Sequence, residues 1–220
     1  MKYKNAGKGI KKAVIGQILA IISTFLGNGM ALFLSVSSRV FGESYKEPSV
    51  LFISVSVFLG IASLCFIALK SVFSFIGYLQ ASRDEPEFKK ATICVLTSGV
   101  LLIIGFFLQI KNGTLYTILN SASMIIEMFV MVFAISGVVN LSNSCERTDV
   151  AEKGDSVLRV LLVTFIFSAL DALVIRIFEL SENAWTVSLI IGTVDLILSF
   201  IQIIIFVRYL RQASKMLQNS

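Results

Sequence analysis

Two aspartates stand where an aspartate is costly. Asp171 lies near the middle of one apolar stretch, residues 157–180, and Asp195 near the middle of the next, residues 185–210. Only the polar link Ser181-Glu182-Asn183-Ala184 separates these stretches. Each acid sits roughly 15 Å below the surface of a bilayer that the stretches would cross, at 1.5 Å per residue. An ionisable group at that depth is a functional-site hypothesis by default. Glu127 and Asn28 fall at about the same level, about 15–18 Å down by the same count. Three acids near one level, with no Lys or Arg expected beside them, cannot all stay charged without protons or a cation. The chemistry open to Asp171, Asp195, Glu127 and Asn28 is therefore proton or cation binding, or the capture of a cationic substrate. Two basic groups, Lys70 and Arg176, also fall well inside apolar stretches. Arg176 is expected to pair with Glu179 or reach outward, and Lys70 to snorkel to the nearer membrane surface.

The elements that must position these residues are legible in the composition. Hydrophobic residues make up 56% of the 220 and charged residues 15%, against roughly 25% charged in ordinary globular domains. The mean hydropathy is +0.86. Apolar runs long enough to cross a bilayer recur from end to end, and no segment is left to bury a soluble core. The expected fold is all-α: one polytopic membrane domain over 1–220 with six transmembrane helices at about 13–37, 50–79, 91–110, 115–142, 157–180 and 185–210. Pro48 and Pro86 are the only prolines and both fall in links, so proline kinks are not expected. Gly27-Asn28-Gly29 is one weak candidate for a helix interruption. The first apolar run, of about 25 residues, is longer than a signal-peptide core, and it reads as a retained helix.

Orientation follows from Lys and Arg. Of the nineteen, fourteen lie in the tails and in the links after the second and fourth spans, while only Arg39, Lys46 and Lys111 lie in the opposite links. The positive-inside rule then puts both termini in the cytoplasm of a cell-membrane protein. Tyr45, Tyr116 and Trp185 would mark the outer interface, and Tyr78 and Tyr209 the inner one. Before the third span, Ser82 or Asp84 followed by Glu85-Pro86-Glu87 reads as a helix cap, and Asp149 with Glu152 as a capping box before the fifth. Asn112-Gly113-Thr114 is a formal glycosylation triplet on the outer side.

Ile10-Lys11-Lys12-Ala13 before the first span matches Phe88-Lys89-Lys90-Ala91 before the third, and Tyr78-Leu79-Gln80-Ala81-Ser82 after the second resembles Tyr209-Leu210-Arg211-Gln212-Ala213-Ser214 after the sixth. One reading is three copies of a two-helix hairpin; the other is that basic and Tyr-rich ends are how membrane helices stop. Polar and small residues also recur at helical spacing. Ser56, Gly60, Ser63, Lys70, Ser74 and Gly77 share one face of the second span, and Ser188, Gly192, Asp195, Ser199 and Gln202 one face of the sixth. For Ser and Gly the expected role is close helix packing.

The link Ala81-Ser82-Arg83-Asp84-Glu85-Pro86-Glu87-Phe88-Lys89-Lys90 resembles the one that follows the second helix in six-helix integral membrane proteins of bacteria. That resemblance implies the fold and no activity. Substrate-capture subunits of vitamin importers are similar in size and topology, but their Ala-x-x-x-Ala motif in the first helix is missing. Mitochondrial carriers share the three-hairpin plan, but no Pro-x-[Asp/Glu]-x-x-[Lys/Arg] occurs. Intramembrane aspartyl proteases carry a dyad on adjacent helices within Tyr-Asp and Gly-x-Gly-Asp; here stand Leu170-Asp171 and Gly192-Thr193-Val194-Asp195.

The chain has no histidine, which removes His-based triads and the common zinc and haem sites. Cys65, Cys94 and Cys145 show no metal spacing, and no P-loop or GxSxG is present, so no cofactor or metal is expected. The expected function is a small transport or ligand-binding module, not an enzyme. The alternative is a non-catalytic assembly or partner protein, with the aspartyl protease a remote third. The expected partners are the lipid bilayer and other membrane subunits, and no nucleic acid.

The topology has a direct check. In a Cys-free background, single cysteines at Glu47, Lys111 and Asn183 are expected to react with an impermeant maleimide on intact cells, and cysteines at Glu85 and Glu152 to stay unlabelled. Labelling of the second pair on sealed cells would reverse the orientation.

Overall fold

A computed structural model of the chain describes residues 3–40, 50–108, 113–178 and 184–219. Side chains are described over 3–27, 54–105, 107–108, 115–116, 118–167, 170, 190–194 and 196–218. The described residues form α1 (Lys4–Val40), α2 (Val50–Ala81), α3 (Glu87–Leu108), α4 (Gly113–Ser144), α5 (Thr148–Phe178) and α6 (Ala184–Asn219), with no strand among them. Among the described residues, five stretches are long and apolar enough to cross a membrane: Lys4–Gly27, Ser54–Ala81, Glu87–Gly105, Ile118–Ser144 and Ile190–Gln218. The remaining expected span, 157–180, falls on α5, whose apolar half runs largely into side chains outside the described residues. Tyr45 and Asn112 lie outside the described residues, and the side chains of Trp185 and Thr114 lie outside those described. The backbone of α1 is continuous helix through Gly27-Asn28-Gly29, so the suspected interruption is not formed.

Each helix packs against its sequence neighbour, and α6 returns against α1, so the six close into a ring. Where the expected spans stop at the end of an apolar run, the helices continue. Here α1 begins at Lys4, α5 at Thr148, and α6 runs to Asn219. The extensions are held because their inward faces pack. Ala6, Ile10, Val150, Ala213 and Leu217 are buried with Tyr78, Phe88, Leu141 and Leu210 in one apolar core at this basic end of the ring. The outward faces of the spans carry Phe25, Phe58, Ile61, Ile103, Phe107 and Ile197, all exposed. That inversion of the soluble pattern suits a lipid surround.

The α1–α2 seam is the closest. A Cβ added at Gly77 would stand 2.6 Å from the Gly9 carbonyl oxygen, and one at Gly9 would strike the Gly77 carbonyl. No residue larger than glycine lets these backbones meet. Ser23 and Ser63 hydroxyls lie 3.3 Å apart farther along the same seam. The small-residue face of α2 is thus a packing face, as its spacing suggests. Tyr78 and Tyr209 depart from expectation. They are buried in the basic-end core rather than set in an interfacial belt, because the helix extensions cover them. Tyr78 stacks on Phe88 with ring centroids 6.2 Å apart, and the Phe88 ring lies against Gly137.

Both helix-start expectations are also revised. Asp84 caps α1, not α3: its carboxylate accepts from the Ala6 backbone N–H at 2.7 Å and the Asn5 side-chain amide at 3.1 Å. The first turn of α1 contains no acid of its own, so this borrowed carboxylate answers its dipole. Asp149 sits inside the first turn of α5 and is gripped by Arg147 at 2.9 and 3.0 Å. The guanidinium holds this carboxyl below its ordinary range. Its contribution is present above the unfolded carboxyl pKa and is lost as pH falls through the lowered folded value.

The α4–α5 turn yields a test. Arg147 N–H donates to the Ser142 carbonyl at 2.9 Å and Glu146 N–H to that of Asn143 at 3.1 Å, the pattern that ends a helix with one left-handed residue. That residue is Glu146, at φ 58°. Glu146→Gly is expected to stabilise the protein by about 1 kcal/mol, since glycine carries no penalty there. A lowered midpoint in thermal or denaturant unfolding would contradict it.

Candidate functional site

Inside the ring, α2 and α4 place opposite charges against each other. Lys70 Nζ donates to both Glu127 carboxylate oxygens at 2.8 Å. The pair is largely covered, with side-chain exposures of 20% and 34%. In water such a bridge is worth little, about 0–1 kcal/mol. Among apolar helices the comparison is with an unpaired charge, and separation becomes expensive. Lys70 therefore does not snorkel. It stands eleven residues from the Ala81 end of α2, level with Glu127. Glu127 is accordingly not an unbalanced acid.

Around the pair the helices contribute a polar lining. The Ser98 hydroxyl lies 2.9 Å from that of Ser123, and reaches toward Glu127 Oε1 at 3.5 Å, a weak contact. A cavity of about 30 Å³ opens beside them, the scale of a single water molecule. Gln17 of α1, Ser71 and Ser74 of α2, and Val95 of α3 line it with the ion pair, and Val130 and Met131 of α4 complete its wall. The Ser74 hydroxyl is buried there without a partner among the described residues. Four helices thus turn their polar faces to one point, while their other faces are apolar.

The polar line continues into the last hairpin. Thr164 of α5 donates to Gln202 Oε1 of α6 at 3.0 Å, and Gln202 Nε2 donates to the sulfur of the cavity-lining Met131 at 3.5 Å. Of the four residues expected to form the site, only Glu127 has a described side chain. Asn28 lies on α1, Asp171 on α5 and Asp195 on α6, and their side chains are outside the described residues. Lys70 is the member that sequence reasoning misplaced. The signal was available: Lys70 shares a stripe with Ser63, Ser74 and Gly77, which face other helices rather than lipid.

A double-mutant cycle measures what the pair does for stability. Glu127→Leu or Lys70→Met alone is expected to cost about 3–5 kcal/mol, because each leaves one charge buried without a partner. The double variant is expected to recover most of that loss. Additive losses in detergent-phase unfolding would show the charges to be independent. No protein-family model, curated protein or solved structure matches the chain.

Proposed function

We propose that the chain is a small transport or ligand-binding membrane module whose midplane acids bind protons or a small cationic solute. It is not an enzyme, and it lies in the cell membrane with both termini in the cytoplasm. The observation that carries this reading is the Lys70–Glu127 pair beside a polar cavity, deep among helices that are otherwise apolar. Association of apolar helices needs small residues and a few hydrogen bonds; it does not need a buried ion pair.

The Thr164–Gln202 bond supplies a register for the aspartates. Asp171 is seven residues beyond Thr164 on α5, and Asp195 seven residues before Gln202 on α6. Seven residues make about two turns, so each step returns to the same helix face some 10 Å farther along. Because these helices are antiparallel neighbours, both steps lead away from the basic end and bring the two positions level. Glu127 is one turn beyond Met131 in the same direction. The proposed site then has two layers, a neutral Lys70–Glu127 pair and an acid pair beside it that shares a proton or holds a cation. The three-hairpin repeat belongs to the same reading, since each hairpin would give at least one charged group: Lys70 from the first, Glu127 from the second and the two aspartates from the third.

The second reading, an assembly or partner protein, is favoured by the mutual satisfaction of Lys70 and Glu127, which leaves nothing there to be neutralised. Thermal stability of the purified protein against pH and a cation panel separates the two. The wild type is expected to respond to pH or to one cation, and Asp171→Asn and Asp195→Asn to fold but lose that response. Superimposed curves for all three proteins in every condition would sink the acidic site and leave the packing role.

A further inference from the structure

The basic residues of this chain are not spread evenly around the ring. On α1, Lys4, Lys8 and Lys11 are exposed and continue the exposed stripe of Ile15, Ile18 and Ile22 at steps of three and four. On α6, Arg208, Arg211 and Lys215 continue the exposed stripe of Ile197, Ile201 and Ile204 in the same way. The two helices are antiparallel neighbours at this end: Ser214 Oγ donates to the Gly7 carbonyl at 2.9 Å, and Gly7 lies against Leu217. Lys8 and Lys11 therefore stand level with Lys215 and Arg211, across one interhelical spacing of about 8–10 Å.

Six cations thus crown one apolar seam, and the seam holds no acid. The α1 sequence contains none at all, and the single acid of α6, Asp195, lies far toward the other end. Elsewhere at the basic end, basic and acidic residues are interspersed. Lys90 is bound to Glu87 and Arg147 to Asp149, and α5 mixes Lys153 and Arg159 with Glu152 and Asp155. The nearest carboxylate to α1, that of Asp84, is taken up by Ala6 N–H and Asn5.

The positive-inside rule asks for basic residues on one side of the membrane; it does not ask for six of them on one seam that carries no acid. We infer that the basic end of the α1–α6 seam binds an anionic phospholipid, its phosphate held by Lys8, Lys11, Arg211 and Lys215 and its acyl chains lying on the isoleucine stripes. Each such cation near a lipid phosphate strengthens binding about five-fold at moderate salt. The site rests on the membrane reading and is independent of the acids inside the ring.

The test uses the full chain in nanodiscs of phosphatidylcholine, with or without phosphatidylglycerol. Phosphatidylglycerol is expected to raise the wild-type Tm by about 5 °C, with the gain lost at high salt. Lys8→Gln/Lys11→Gln/Arg211→Gln is expected to abolish that gain and to weaken retention of phosphatidylglycerol, read by native mass spectrometry, about 100-fold. Lys89→Gln/Lys90→Gln, which removes two cations from the same end but away from the seam, is expected to keep the gain. Because each protein is compared with itself in two lipids, any general loss of stability cancels. Equal wild-type Tm in both lipids, a gain kept by the triple variant, or a gain lost equally in the control would each overturn the site.

Discussion

The contact between Gly9 and Gly77 sets the terms for the rest of the molecule. In lipid, apolar helices gain nothing by hiding from their surroundings, so association has to come from close van der Waals packing and from polar groups that meet. At Gly9 and Gly77 the backbones of α1 and α2 touch, which no larger side chain would allow. That contact draws in Ala13, Ala81, Tyr78 and Phe88, and the basic-end core forms around them. The core then rewards the helices for continuing past the membrane stretches. This is why Val150 and Leu217, outside the expected spans, are buried as thoroughly as residues in the middle of the chain.

The Lys70–Glu127 pair is the counterpart of that contact. Glycine packing joins helices that are already neighbours in sequence. The ion pair joins α2 to α4, across α3, and Gln202 joins α4 to α6 across α5. One system is apolar, local and at the basic end; the other is polar, long-range and inside the ring. The first brings helix backbones into contact, and the second gathers polar groups of four helices around one charge pair.

Much of this was legible in the sequence, for definable reasons. Helix identity came from apolar length, and the packing role of Ser63, Ser74 and Gly77 came from their spacing. The inner faces of the extensions were not legible, because Ala6, Ile10 and Leu217 are interleaved with charges and a hydropathy window averages them away. A snorkelling Lys70 requires α2 to end at the membrane surface, but that helix is 32 residues long and overshoots a hydrocarbon core about 30 Å thick. The overshoot leaves Lys70 inside the bundle, where Glu127 pairs it. Asp84 was read as a local cap since sequence proximity favours α3; its actual partner, Ala6, is 78 residues away.

That last bond has a consequence for how the protein is made. The first turn of α1 has no acid of its own, and the carboxylate that satisfies it arrives only when the second helix and its link have been synthesised. Until Asp84 emerges, the start of α1 is an unsealed helix end at the membrane surface. Its arrival ties the beginning of the chain to the end of the first hairpin. That bond closes the first two helices and the link after them into one loop whose ends, Ala6 and Asp84, lie 78 residues apart in the chain.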